Sequence, residues 1–279
     1  MKFGLTIFPT DYAINPIILA QEAEARGFES IFLPEHTHIP VNRETPFPGG
    51  GDLPKEYSHT FDPFITLGAI AASTKNIKLA TGIALIVERD PIILAKEIST
   101  LDIISNGRVL LGVGGGWNRE EMRNHGTSPE RRWKLMRERI EAMKNLWNQN
   151  VAEYHGEFVN FDPLWQWPKP LQKPHPPIIV GGNGANTLKR VIRYGDEWMP
   201  IGNRGEYLNR IPELQELALE SGRNTIPISV FGASNDEKSI IELANAGVDR
   251  AILRLKSTEK EQIMPVLDQY ASLIETFSN

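Results

Sequence analysis

The chain contains no cysteine among its 279 residues. This excludes disulfide bonds, thiolate nucleophiles and metal sites with cysteine ligands. Long apolar runs are also missing, and the strand-like first residues are too short and too lightly charged for a signal peptide. We therefore expect a cytoplasmic protein without a membrane span. The net charge of −5 comes without a block of basic residues, which argues against a nucleic-acid partner.

The sequence does contain apolar strand-like runs that alternate eight times with amphipathic helical runs. The predicted strands are residues 3–8, 30–33, 77–83, 109–113, 178–181, 197–201, 228–231 and 251–254. The predicted helices are residues 15–26, 63–73, 92–105, 131–148, 186–194, 207–221, 237–246 and 260–277. This pattern predicts an α/β fold, a closed (β/α)₈ TIM barrel that forms a single domain over residues 1–279. A doubly wound open sheet is the alternative, although such sheets usually have fewer strands.

Residues at the borders of the predicted helices support this assignment. Asp62 and Asp90 each precede a proline, which is the arrangement of a capping carboxylate before a first-turn proline. Glycines that we expect in the left-handed conformation follow four helices: Gly27, Gly195, Gly222 and Gly247.

Two connections are too long for simple turns, and we expect them to shape a substrate pocket. One is an extended loop after strand 2, residues 35–61, on the face where barrel active sites form. The other is an insertion between helix 4 and strand 5, residues 149–177, which carries Trp165 and Trp167. It begins on the opposite face and is long enough to wrap the barrel or to reach a neighbouring subunit.

Strand 2 ends in Glu35-His36-Thr37-His38, which places a carboxylate and two imidazoles near the barrel mouth. A histidine there can donate a hydrogen bond or transfer a proton near neutral pH. His36 and His38 fall on one side of an extended segment, which leaves a metal site or a purely structural pair as alternatives. No further carboxylate–histidine cluster supplies the remaining ligands, so we predict no metal.

Glycine runs follow two of the predicted strands. One run is Gly112-Val113-Gly114-Gly115-Gly116-Trp117, and the other is Gly181-Gly182-Asn183-Gly184 before a helix. Glycine lets a flat ligand approach the backbone closely, and a helix N-terminus after such a run favours a phosphate. Arg254 ends strand 8 on the same face, where a guanidinium can pair with a phosphate. Purely structural turns are the alternative for both runs.

These segments together resemble the luciferase-like monooxygenase superfamily, and most of all its oxidoreductases that use the deazaflavin coenzyme F420. The matching stretches are GFESIFLPEH at 27–36, LATGIALIVERDPIILAKEISTLDIISNGRVLLGVGGGW at 79–117, YHGEFVNFDPLWQWPKPLQKPHPP at 154–177 and IIVGGNGANTLKRVIRYGDEWMP at 178–200. They follow the family's order and approximate spacing over most of the chain.

The resemblance implies a flavin or deazaflavin in the barrel mouth. In the family, a bulge with a non-proline cis peptide supports the ring, and it maps to Gly82-Ile83 beside Thr81. Glu35 and His36 map to the reactive edge and are the predicted catalytic residues. The remaining cofactor-binding positions implied are Gly114, Gly115, Gly116, Trp117, Gly181, Gly182, Asn183 and Gly184. Similar sugar-phosphate dehydrogenases carry a catalytic glutamate at about Gly115, and its absence argues against that activity.

The predicted function is therefore an oxidoreductase that transfers a hydride to or from a small organic substrate. Coenzyme F420 is favoured over FMN, and a homodimer is expected. One alternative is an FMN-dependent monooxygenase that uses reduced flavin and oxygen. Others are a non-redox barrel enzyme that binds a phosphorylated metabolite through Gly181–Gly184 and Arg254, and a flavin-binding protein without turnover.

Overall fold

The computed structural model describes residues 1–204 and 206–277. Its strands are β1 (Lys2–Thr6), β2 (Ser30–Leu33), β3 (Lys78–Thr81), β4 (Ala84–Leu85), β5 (Val109–Gly114), β6 (Ala152–His155), β7 (Asn160–Leu164), β8 (Ile178–Gly181), β9 (Glu197–Met199), β10 (Ser229–Ala233) and β11 (Arg250–Arg254). Its α-helices are α1 (Pro16–Ala25), α2 (Glu56–His59), α3 (Pro63–Ser73), α4 (Pro91–Ile104), α5 (Arg119–Asn124), α6 (Arg132–Asn148), α7 (Thr187–Tyr194), α8 (Ile211–Glu220), α9 (Glu237–Asn245) and α10 (Lys260–Phe277). Two 3₁₀ turns span Ile86–Glu88 and Tyr207–Arg210.

Eight parallel strands form the predicted barrel. Their order is β10-β11-β1-β2-β3-β5-β8-β9, and the short β4 pairs with β5 above β3. Two parallel bridges, Trp198 with Ile228 and Ile201 with Phe231, join β9 to β10 and close the ring. The (β/α)₈ prediction is thus confirmed, and the open sheet is excluded. None of the helices in the described ranges is long and apolar enough to cross a membrane.

The strands are buried on both faces because helices cover the outside and side chains fill the inside. The inner layer consists of Phe32, Ala80, Leu110, Ile179, Met199 and Ile252. Such a layer of inward-pointing side chains makes the barrel a packed core rather than a pore. Any ligand must therefore bind above this layer, at the ends of the strands.

The capping signals were mostly correct. Asp62 accepts a hydrogen bond from the backbone N–H of Ile65, and Asp90 accepts from those of Ile92 and Ile93. Three of the four glycines after helices have φ between 67° and 82°: Gly27, Gly222 and Gly247.

The prediction for Gly195 was wrong, since its φ is −89°. Glycine is needed there for space, because a Cβ atom would lie 2.6 Å from Cγ2 of Val180 in the neighbouring strand.

The two long connections have different positions. The loop after β2 carries α2 and covers the C-terminal rim. The insertion forms the antiparallel hairpin β6–β7 and then runs along α4, where Gln166 donates to the carbonyl of Ile92. Trp165 and Trp167 are 80% and 55% exposed on this outer surface. The expectation that this segment shapes the pocket was therefore wrong, because it wraps the side of the barrel.

Candidate active site

A cavity of about 300 Å³ lies at the C-terminal ends of the barrel strands, a volume at the small end of ligand sites. It is lined by Thr6, Ile7, Phe8, Pro34, Glu35, His36, Phe47, Pro48, Tyr57, Gly82, Ile83, Leu85, Gly114, Gly115, Gly116, Trp117, Trp133, Gly181, Gly182, Met199, Ile201, Arg204, Phe231 and Arg254. All sequence-predicted site residues except Thr81, Asn183 and Gly184 are among them.

The floor of the cavity is built around Ile83, whose peptide bond with Gly82 is cis. Ile83 packs under the two glycine runs. A Cβ atom on Gly114 would lie 2.7 Å from Cδ1 of Ile83, and one on Gly181 would lie 3.0 Å from Cγ2. A Cβ on Gly115 would likewise lie 2.7 Å from the Trp133 ring. These glycines thus leave room for neighbouring side chains, which in turn present a flat surface to the cavity.

The three predicted residues outside the cavity support its walls. Thr81 is buried beneath the floor, and its hydroxyl donates to the carbonyl of Gly112. The Asn183 amide accepts from the backbone N–H of Ile201 at 2.7 Å and so ties the loop after β8 to the loop after β9. The Gly184 carbonyl accepts from Arg210. Their assignment as cofactor-binding residues stays a prediction.

His36 lies in the wall of the cavity with a side chain that is 6% exposed. Its Nδ1 is 2.7 Å from Oε2 of Glu121, and the indole N–H of Trp117 donates to its Nε2 at 3.3 Å. A nitrogen that accepts from Trp117 carries no proton, so the proton of the neutral ring is on Nδ1 and is donated to Glu121. A carboxylate that holds a histidine in one tautomer is the arrangement of a general base.

Glu121 is itself held in place by the chain segment next to His36. Its Oε1 accepts from the backbone N–H of Thr37 at 3.0 Å. Glu121 lies in the first turn of α5, where Asn118 caps the helix. Sequence analysis missed this residue because Asn118 and Glu121 have the spacing of a helix capping box. The Glu121 side chain turns to His36 instead.

His38 does not share the surroundings of His36. Its Nδ1 lies 2.9 Å from the Thr37 hydroxyl and its Nε2 lies 2.8 Å from the Asn124 amide, on the outer side of the loop. Both histidines contact side chains of α5, Glu121 and Asn124, but only His36 lines the cavity. In the parts of the chain that the structure describes, no group of three or more histidine, aspartate or glutamate side chains is arranged to hold a metal ion.

Glu35 faces away from the reactive end of His36 and joins an ion pair. Its carboxylate lies 2.5 Å from Nη2 of Arg89 and accepts from the backbone N–H of Leu85 at 2.6 Å. Burial lowers the pKa of Arg89, but pairing with Glu35 and Asp62 outweighs it and raises that pKa above its ordinary value. The ion pair therefore fixes the segment that follows Ile83. Glu35 also lines the cavity, so its assignment as a catalytic residue stays a prediction beside this structural role.

Glu88 is a further buried carboxyl beside this pair. Burial, and then the charges of Glu121 and Glu35, raise the pKa of Glu88 to about 9. Its Oε2 makes no hydrogen bond with any described residue, and the nearest basic atom recorded is Nε2 of His125 at 3.7 Å. Glu88 is therefore protonated at neutral pH.

Two arginines lie behind the cavity at Trp133, between the two glycine runs. The guanidinium of Arg190 on α7 stacks on the Trp133 ring at 3.6 Å, and that of Arg132 lies 4.9 Å from the same ring. Within the described ranges neither forms a salt bridge with a carboxylate, and Nε of Arg132 is buried without a hydrogen-bond partner. Sequence analysis missed them because an arginine in an amphipathic helix normally faces solvent.

Two other arginines line the cavity after β9 and β11. Arg254 ends β11 and lies 3.3 Å from the Glu56 carboxylate, while Arg204 follows β9. Tyr57 lines the cavity with them. Burial raises the pKa of Tyr57 above its ordinary value, and the charge of Glu56 adds to this, while the charges of Arg254 and Arg204 offset it in part. This side of the cavity thus carries excess positive charge.

A model of the luciferase-like monooxygenase family matches residues 14–256. The chain belongs to this family. An uncharacterised protein of Mycobacterium tuberculosis is 46% identical over 231 residues, which cover 81% of this chain and 82% of that protein.

Among solved structures, the monooxygenase RslO1 from Streptomyces bottropensis superposes with a TM-score of 0.83 at 20% identity and full coverage of both chains. An F420-dependent secondary alcohol dehydrogenase superposes with a TM-score of 0.77 at 19% identity and 98% coverage of both. At these identities the likeness shows the shared fold. The chain is thus an enzyme of the luciferase-like family, and its cavity lies on the face where TIM-barrel enzymes carry their active sites.

Proposed function

We propose that this luciferase-like protein is an oxidoreductase that binds coenzyme F420 and transfers a hydride to or from a small organic substrate. The observation that carries the proposal is the His36–Glu121 pair, which is buried at a cavity whose floor is glycine and Ile83. A flat apolar surface beside an oriented base suits a ring cofactor and a substrate whose oxygen gains or loses a proton.

The residues present fit such a cofactor. Gly82, Ile83, Gly114 and Gly115 would hold the ring, and the Gly181–Gly182 turn before α7 would hold a phosphate. When bound, the cofactor supplies the hydride acceptor or donor.

His36 would handle the proton of the reaction. A substrate oxygen would bind between Trp117 and His36. It would accept a hydrogen bond from the indole N–H, which His36 accepts in this structure, and it would lie beside the Nε2 lone pair. During oxidation of a hydroxyl group, its proton moves to Nε2. The resulting imidazolium is stabilised by Glu121 at Nδ1, and the same proton returns in the reverse reaction.

The arginines at Trp133 favour F420 over FMN. FMN ends in one phosphate monoester, whereas F420 continues past a phosphodiester into a tail with further carboxylates. Arg132 and Arg190 provide two half-buried cations at Trp133, both without a carboxylate partner in the described ranges. A longer anionic tail would give these guanidinium groups charged partners.

The test is a titration of the purified protein with F420, FMN and FAD, followed by cofactor fluorescence. We expect F420 to bind most tightly, and Arg190→Gln to weaken F420 more than FMN. Arg193→Gln is the matched control, because Arg193 is on the same helix but exposed and paired with Glu141. Tighter binding of FMN, or equal effects of the two variants, would contradict the assignment to F420.

An FMN-dependent monooxygenase is the second candidate, because RslO1, a solved structure that shares this fold over its full length, is a monooxygenase. Oxygen uptake with reduced FMN, compared with anaerobic hydride transfer from reduced F420, separates the two candidates.

A homodimer is also proposed. Large apolar side chains form an exposed strip where the insertion runs along α4: Ile93, Ile104, Trp165, Trp167 and Leu171. Contiguous apolar patches on a surface commonly mark an interface. We expect sedimentation to show two copies, and the double variant Trp165→Ser, Trp167→Ser to shift the equilibrium to monomers.

A further inference from the structure

The side of the cavity after β9 and β11 has a chemistry that hydride transfer alone does not require. Arg204 and Arg254 line it together with Tyr57. The guanidinium of Arg204 has no ion-pair partner among the described residues, and the Tyr57 hydroxyl has no hydrogen-bond partner among them. Three donor groups thus converge on one side of the cavity, and the carboxylate of Glu56 contacts Arg254 alone, at 3.3 Å.

Arg254 ends β11, away from the strands β3, β5 and β8 that carry the glycine floor. Arg204 follows β9, which neighbours β8, and its backbone carbonyl accepts a hydrogen bond from the Asn183 side chain in the loop after β8. The centroid of the Tyr57 ring lies 5.3 Å from that of His36, so Tyr57 connects the wall at His36 with the side of the cavity that Arg254 lines.

The wall around Tyr57 is apolar and aromatic. The ring centroids of Phe8 and Phe47 lie 4.5 Å and 5.2 Å from that of Tyr57. The centroids of Phe47 and Trp117 are 5.9 Å apart. A long apolar wall that ends in cations fits a ligand with an apolar body and an anionic head.

We propose that Arg204, Arg254 and Tyr57 bind the anionic group of the substrate, a carboxylate or a phosphate, and that the substrates are small acids with an apolar, aromatic-sized body. This inference rests on the proposed function, because it places the reacting carbon at His36. It goes further by giving the substrate class. The cations proposed above for the cofactor, Arg132 and Arg190, are different residues and lie behind the cavity at Trp133.

The experiment measures binding to the cofactor-loaded protein with three probes of similar shape: benzoate, phenyl phosphate and neutral benzyl alcohol. Calorimetry gives the dissociation constants. We expect one of the two anions to bind at least about tenfold more tightly than benzyl alcohol, with the preference declining at high salt. Arg204→Gln and Arg254→Gln together should abolish the preference without altering cofactor affinity.

Glu56→Gln is a second test variant, for which the expected result is a gain in anion affinity. It removes the carboxylate that competes for Arg254, so the preferred anion should bind several-fold more tightly than to the native protein. Equal binding of the anions and the alcohol, or no change in Glu56→Gln, would overturn the proposal. Loss of cofactor affinity in the double arginine variant, with anion binding unchanged, would assign these cations to the cofactor instead.

Failure of the proposed function would look different. A protein that binds none of F420, FMN and FAD would refute the redox assignment. The anion preference would then be measured on the protein without cofactor, where its presence still supports an acid-binding cavity and its absence overturns it.

Discussion

The two ends of the cavity differ in how firmly their polar groups are held. At the β2–β5 end, His36 and Glu121 are buried, with side chains 6% and 1% exposed, and each is oriented by a hydrogen bond from a neighbour. At the β9–β11 end, the Arg254 side chain is 53% exposed and has one contact with a carboxylate at 3.3 Å. Fixed groups suit chemistry, because catalysis depends on orientation, whereas an exposed cation remains accessible to an anionic ligand.

The largest effect is expected from removing the imidazole of His36. We expect His36→Ala to lower turnover by about 10²–10⁴-fold, the usual contribution of a general acid or base, while the affinity for cofactor stays unchanged. His38→Ala is the control, because His38 is two positions away but contacts Thr37 and Asn124 and does not line the cavity. Native turnover in His36→Ala would move the proton-transfer role to another residue.

The next largest effect tests whether Glu35 belongs to the chemistry or to the fold. Glu35→Gln leaves the buried Arg89 without its closest partner, and we expect a loss of about 3–5 kcal/mol in the free energy of unfolding. Urea denaturation measures it. Glu97→Gln is the control, since Glu97 is more exposed and lies 3.4 Å from the same guanidinium. Full stability of Glu35→Gln with lost turnover would support the catalytic role that the sequence predicted.

A smaller effect is expected for the partner of His36. Glu121→Gln keeps the shape but removes the charge that stabilises an imidazolium, so we expect turnover to fall by about 10–100-fold with cofactor affinity intact. Glu121→Asp should recover part of the loss, because it restores the charge. If Glu121→Gln instead lowered stability and cofactor binding together, Glu121 would be a structural residue and not a positioning one.

Sequence analysis predicted the barrel, the cap residues and the placement of His36, because these depend on local patterns that the chain repeats eight times. It did not find Glu121, since a Glu three residues after Asn118 normally caps a helix. The family resemblance assigned Glu35 to catalysis together with His36, and for Glu35 this stays a prediction. Neighbouring side chains in an extended segment point in opposite directions, and the ion pair of Glu35 with Arg89 depends on a residue 54 positions away, which no local pattern reveals.

The last test concerns Glu88, which lies next to the fixed end of the cavity and is neutral in the folded protein. Its pKa of about 9 exceeds the value of an exposed glutamate, about 4.3. Between these two values the folded state binds one proton more than the unfolded state. Glu88 therefore contributes stability at low pH that is lost as the pH rises.

Glu88→Gln removes this titration. As the pH rises from 6 to 8, the free energy of unfolding of the variant should therefore increase relative to that of the native protein by about 1.4 kcal/mol per pH unit. Urea denaturation of both proteins at pH 6, 7 and 8 measures the slope. Glu130→Gln, which changes an exposed carboxylate paired with Arg119, should run parallel to the native protein over the same range. A constant difference between Glu88→Gln and the native protein would mean that Glu88 is ionised when folded. Glu88 would then be a buried carboxylate, as Glu35 is beside Arg89. The two regions of the cavity would both contain charged groups, and they would differ less than proposed here.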